Sequence, residues 1–156
     1  MGWRYWQVRG GRLHSVTQRQ VAWEPGRTLS ARCVGAGHRA PDLGCDCGIY
    51  GARDLEHLRQ HGLCLAPDAL VVGRVALWGT VLADVAGWRA ELGRPLELAV
   101  VPELVADADL EAMIADLEAY GVPVGTMVLA GAVAGVSAAI LANQAMAARA
   151  SGTRAR

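Results

Sequence analysis

The stretch LVVGRVALWGTVLADVAGWRAELGRPLELAVV, Leu70 to Val101, decides the fold. Val71, Gly73, Val75, Leu77, Gly79 and Val81 alternate with Val72, Arg74, Ala76, Trp78, Thr80 and Leu82, and both sets are mostly apolar. A strand that is apolar on both sides must be covered on both faces, so a central strand is expected here. Its glycines permit a bend. Ala86-Gly87 turns the chain into a second strand, Trp88 to Leu92, and Leu96 to Val101 follows as a third that ends at Pro102. Arg89 and Glu91 point the same way on their strand and read as a cross-strand or surface pair.

Upstream, Trp3 to Val8 and Leu13 to Val16 are rich in aromatic and β-branched residues, and Gly10-Gly11 supplies the positive φ angles of a two-residue turn. A hairpin is expected, with a short third strand, Val21 to Trp23, that stops at Pro25-Gly26. His14 falls on this sheet as a packed or surface residue. Gly48-Ile49-Tyr50 reads as another short strand. Asp54 to His61 reads as a helix with Leu55 and Leu58 inward and Gly62 as its stop. His57 and His61 lie four apart on one face of it, a spacing that also suits a metal. Asp107 to Tyr120 is an amphipathic helix, because Leu110, Met113, Ile114 and Leu117 recur at i, i+3, i+4 and i+7 before Gly121 and Pro123 end it. Strands come in runs before the long helix and do not alternate with helices. The fold class this implies is α+β: a bent, mainly antiparallel sheet with one packed helix.

Between the hairpin and the first helix lies RCVGAGHRAPDLGCDCGIYG, Arg32 to Gly51, which holds three of the four cysteines and a histidine as Cys33-x4-His38-x6-Cys45-x-Cys47. Three thiols and one imidazole are the donor set of a closed tetrahedral zinc site, and the intervening Gly, Ala, Pro and Asp residues suit the tight turns of a metal knuckle. The expected ligands are Cys33, His38, Cys45 and Cys47. A C-x-C pair holds its sulfurs more tightly than the usual C-x2-C, so a redox pair of thiols and an iron–sulfur centre stand beside zinc as readings. Cys64, between Leu63 and Leu65, is an alternative fourth ligand to His38, or a small buried apolar residue.

The chain has 15 basic residues, all of them arginine, against 15 acidic ones. Net charge is therefore zero, which leaves no electrostatic footprint for nucleic acid. Met1 to Val8 carries Trp, Arg and Tyr in place of an apolar run, so no secretory leader is expected and a reducing cytoplasm is the expected compartment.

The last segment changes character. From Gly121 to Ala148 no residue is charged. Val124 to Ala142 averages about +2 in hydropathy, within the range where membrane-spanning helices are found. Gly131 and Gly135 form a GxxxG surface on which two helices can approach closely. The expected organisation is a domain over 1–121, an apolar helix over 122–148 that anchors in a membrane or packs between copies, and a basic tail over 149–156 whose Arg149, Arg154 and Arg156 reach headgroups or water.

Trp23-Glu24-Pro25-Gly26, Ala31-Arg32-Cys33, His38-Arg39-Ala40-Pro41, Cys45 to Tyr50, Val71 to Val81, Gly87 to Glu91 and Tyr120 to Val124 together resemble a group of small, largely uncharacterised actinobacterial proteins. The resemblance spans about Trp3 to Val124 and implies one domain with the Cys/His set as a unit; it brings no activity. The Gly-Ile-Tyr step before a helix and a long strand also resembles ADP-ribosyltransferase-like folds, for which Tyr50, His14 and Glu91 are the candidate site residues. Three readings follow. The first is a non-enzymatic, zinc-braced module that meets a protein partner or a second copy. The second is an enzyme, using either that trio or a metal assisted by Asp42 or Asp46. The third is an iron–sulfur or redox protein.

Overall fold

The computed structural model describes residues 1–62, 70–105 and 107–128. One sheet contains eight strands: β1 Gly2–Arg9, β2 Arg12–Ser15, β3 Ala22–Trp23, β4 Leu29–Ser30, β5 Ile49–Ala52, β6 Leu70–Ala83, β7 Gly87–Val100 and β8 Val124–Thr126. Among the described residues two helices, α1 Leu55–Gly62 and α2 Asp107–Glu118, and a 3-10 turn at Pro102–Leu104 accompany it. Every strand pair is antiparallel except β7 with β8, so the sheet is mainly antiparallel, as expected.

The hairpin β1–β2 runs in register from Trp6↔Ser15 to Arg9↔Arg12, with Gly10 and Gly11 at φ 53° and 70°. Two successive positive angles give the turn whose twist matches that of the strands it joins. From β1 the pairings close a ring: β1 lies on β6, β6 on β7, β7 on β5, and β5 returns to β1 at Ala52↔Trp3.

β6 and β7 each span 14 residues. The two strands expected at Trp88–Leu92 and Leu96–Val101 are thus one strand running through Pro95. Proline is tolerated because Arg74↔Glu97 is followed by Val75↔Pro95, a bulge that leaves Leu96 unopposed where the missing N–H would otherwise break the ladder. A second bulge separates Trp78↔Leu92 from Val81↔Ala90, so that Gly79 and Thr80 both face Glu91. Gly79 takes φ 75°, and the freed Thr80 N–H donates to Glu91 Oε2 at 3.1 Å.

The expectation of a strand covered along its whole length needs correcting. β6 is flanked by β1 only over Leu70–Val75, where Val71, Val72 and Val75 are fully buried. Beyond that, β7 is its one neighbour, and Thr80, Val81 and Ala83 are exposed. The cause is β1, whose Gly2 already stands opposite Val75.

Apolar side chains sort into two clusters. One gathers Trp6, Leu13, Trp23, Ile49, Val71, Val75, Leu98 and Val100 against Leu117 and Tyr120 at the end of α2. Trp6 and Trp23 meet edge to face, with centroids 5.6 Å apart and planes at 88°. The Tyr120 hydroxyl accepts from the Leu13 N–H at 2.8 Å and donates to the Trp23 carbonyl, which pins the helix end to the hairpin. The other cluster sets Val72 and Val101 against Val16 and Leu58 of α1. Adjacent residues Val71 and Val72 serve opposite clusters, as the period-two pattern requires.

The described start of the expected apolar helix over 122–148 is not helical, while its remainder, 129–148, lies outside the described residues. Val124–Thr126 is β8, parallel to β7 at Leu98–Val100, and it is secured by Leu98 N to Pro123 O and Met127 N to Val100 O, both 2.9 Å. The free edge of β7 beyond β4 and β5 offers backbone partners that satisfy these groups, and β-branched Val122 and Val124 suit that edge. The sheet therefore crosses the expected boundary between 121 and 122. Cys64, Gly131, Gly135 and the tail arginines lie outside the described residues. Among those described, no helix is long and apolar enough to cross a membrane.

Candidate metal centre

β4 and β5 hang on the same edge of β7, at Leu29↔Gly93, Ser30↔Leu92 and Ile49↔Ala90. The chain between them leaves the sheet and returns within a few ångströms of its start. Ala31 N donates to Glu91 O at 2.7 Å at the entry. Inside the loop, Asp42 makes the tight turn expected of it: its Oδ1 accepts Gly44 N at 2.8 Å and its carbonyl accepts Cys45 N at 3.3 Å. Asp42 is thereby used for structure, while Asp46 stays exposed.

The donor atoms of Cys33, His38, Cys45 and Cys47 all lie within 4.8 Å of one another. Cys33 Sγ and Cys45 Sγ are 3.8 Å apart, and Cys47 Sγ lies 3.9 Å from His38 Nδ1. A tetrahedral zinc with sulfurs at about 2.3 Å places neighbouring sulfurs about 3.8 Å apart, so the spacing fits one ion and is far too long for a disulfide. Cys47 is buried and the other three are half-buried. Four protein donors close the coordination sphere and leave no position for a reacting water.

The surroundings pull two of the thiols in opposite directions. Backbone N–H groups of Ala36 and then Gly35 donate to the Cys33 sulfur and bring its pKa down to about 7. The Cys47 N–H acts likewise on Cys45, but burial and the neighbouring Cys33 and Cys47 thiols outweigh it and leave Cys45 above its ordinary value. His38 is raised by the Arg39 carbonyl, 3.1 Å from Nδ1. Three sulfurs and an imidazole gathered at one point, one of the thiols already eased toward its thiolate, form a donor set that a cation would draw together.

Two β7 residues hold the loop down, and reading them as a pair missed this. Arg89 Nη1 donates to three loop carbonyls, those of Asp42 at 3.3 Å, Cys47 at 3.2 Å and Cys45. Glu91, one oxygen of which fills the β6 bulge, accepts Arg39 Nε at 3.0 Å and Nη2 at 2.5 Å on the other. Tyr50 adds a bond from its hydroxyl to the Asp46 carbonyl at 2.6 Å. The visible signal was alternation: Arg89 and Glu91 sit two apart in a strand otherwise mostly apolar, so they share the face on which the loop lies.

Beside the loop runs a cleft of about 1100 Å³ whose walls include Trp3, Tyr5, Tyr50 and Trp88. Arg4 crosses its floor and stitches the seam between two strands, with Nη1 on the Tyr50 carbonyl at 2.7 Å and Nη2 on Ser15 Oγ at 3.3 Å. Its guanidinium lies 5.1 Å over the Trp23 ring, and burial brings its pKa down to about 10. The arginine therefore remains a cation at neutral pH.

The trio suggested by the ADP-ribosyltransferase resemblance is not assembled. Tyr50 lines the cleft, Glu91 lines a smaller hollow next to Cys33 and His38, and His14 lines neither, with its Nδ1 on the Arg19 carbonyl at 3.0 Å. His57 is engaged with Asp54, which caps α1 by accepting the His57 N–H at 2.8 Å. No protein-family model matches the chain, and no curated protein and no solved structure matches it.

Proposed function

We propose that the chain is a zinc-stabilised, non-enzymatic interaction module. The observation that carries this reading is the convergence of Cys33, His38, Cys45 and Cys47 within 4.8 Å. Zinc is preferred to an iron–sulfur cluster because a histidine completes the set, whereas clusters favour all-cysteine ligation. The bound ion locks a loop that has little apolar packing of its own, and the locked loop displays Val34 and Leu43, which are 76% and 85% exposed, to a protein partner. Residues 129–148 carry no charge, and with Gly131 and Gly135 they draw copies of the module together, either in water or as a membrane anchor for a cytoplasmic domain.

Elemental analysis of protein purified without added metal, read beside its visible spectrum, tests the centre. About one zinc per chain and no visible absorption are expected; a coloured protein containing iron, or a metal-free protein with normal folding, would overturn it. The tether is tested by comparing the full chain with residues 1–128 for oligomeric state and membrane partition. Equal behaviour of the two would remove that part of the reading.

A further inference from the structure

We propose that the cleft beside the metal loop binds a small organic anion with a flat apolar body, its head group held by Arg4. The inference is independent of the metal. Arg4 is a cation on a strand face otherwise given to the core, since Trp6, two residues on, is fully buried. Among the described residues no carboxylate lies within ion-pair distance of it, although Arg12 and Arg39 both have one. A guanidinium carries five N–H groups. One on Nη1 and one on Nη2 are used within the protein, and Nε is buried without a partner. One hydrogen on each of Nη1 and Nη2 is left for a carboxylate, sulfonate or phosphate.

Charge and shape agree with this. Arg4, Arg32 and Arg89 line the cleft against Asp46 and Asp84, and one oxygen of Asp84 is already turned to the Val85 N–H at 2.5 Å. Trp3, Tyr5, Tyr50 and Trp88 supply aromatic walls on which a flat body stacks, and the volume of about 1100 Å³ suits a molecule of cofactor size. Arg4 is half-buried and its Nε is buried without a partner, and a bound anion supplies the opposite charge that the described residues do not.

The test uses the full, zinc-loaded chain and 8-anilinonaphthalene-1-sulfonate as fluorescent probe. One saturable site per chain is expected, with displacement by decanoate and decyl phosphate but not by decanol; the order of the two anions tells carboxylate from phosphate. Arg4→Gln is expected to weaken the probe at least about tenfold, as loss of a charged hydrogen bond does. Zinc content, measured in parallel, is expected to stay the same, which separates this outcome from failure of the metal centre. If Arg4→Gln does not fold, Thr28→Trp, a substitution at an exposed residue on the rim, blocks the cleft and is expected to weaken the probe as well. Unchanged binding in the folded variant, equal displacement by decanol, or binding at many unsaturable sites overturns the proposal.

Discussion

The sheet and the loop between β4 and β5 are ordered by different forces. In the sheet, Trp6, Leu13, Val71, Val75 and Val100 are fully buried, and apolar burial joins the backbone ladder in making the strands cohere. Over residues 31–48 the buried residues are Ala40, Pro41 and Cys47, and everything else that fixes the loop is polar: three carbonyls on Arg89, an ion pair from Arg39, and four metal donors. A segment without a core cannot offset its chain entropy by packing, so it relies on a few strong, directional bonds. The difference teaches that stability and local order are separable in this molecule, and that each should respond to its own perturbation.

The largest effect is expected from removing the metal. Structural zinc contributes about 10–16 kcal/mol in small domains, and with zinc at the proposed centre that energy would be concentrated in the loop. A strong chelator, or Cys47→Ser, should expose residues 31–48 to hydrogen exchange and proteolysis while the near-ultraviolet signal of the Trp6–Trp23 pair persists. Loss of both together would mean one cooperative unit and would break the comparison. Next comes Trp6→Ala, expected to cost about 3–5 kcal/mol in urea unfolding by leaving a hole in the core. Whatever remains folded should still bind zinc.

Smaller again is Arg89→Ala. It removes the donor to the Asp42, Cys45 and Cys47 carbonyls and should lower zinc affinity about 10–100-fold, as loss of outer-shell support does, with a modest shift in urea midpoint. An unchanged affinity would show that the donors hold their geometry unaided. The smallest effect concerns pH. The Asp54 carboxyl is held below its ordinary value by the His57 N–H and then by the His57 ring. Because the folded value is the lower one, its contribution to α1 is complete above the unfolded value of 3.8 and fades as pH falls through the folded value. Asp54→Ala should abolish that part of the acid sensitivity, read as amide exchange in α1.

What was legible in the sequence was local. Gly10-Gly11 marks its turn by backbone freedom alone, Leu110 to Leu117 marks α2 by spacing, and four metal-binding side chains within fifteen residues can meet without help from the rest of the chain. What escaped depended on register between distant strands. Gly93 to Pro95 read as a break between two strands, which the bulge at Val75 joins into one. Val124–Thr126 opens an uncharged stretch that reads as an apolar helix by hydropathy, and its pairing with the free edge of β7 makes it a strand. Arg89, Glu91 and Arg4 hide for the same reason, since their loop or strand partners lie as far as 47, 52 and 46 residues away.

The way the metal loop is attached has a consequence for engineering. Its two ends are fixed at neighbouring rungs of a single strand, Leu92 for Ser30 and Ala90 for Ile49, so its interior can change length without shifting any strand. The scaffold is thus a socket, and residues 32–47 are a cartridge that could be exchanged for another ion-binding or recognition loop of similar span. Arg89 and Glu91 are the two contacts such a replacement would have to keep.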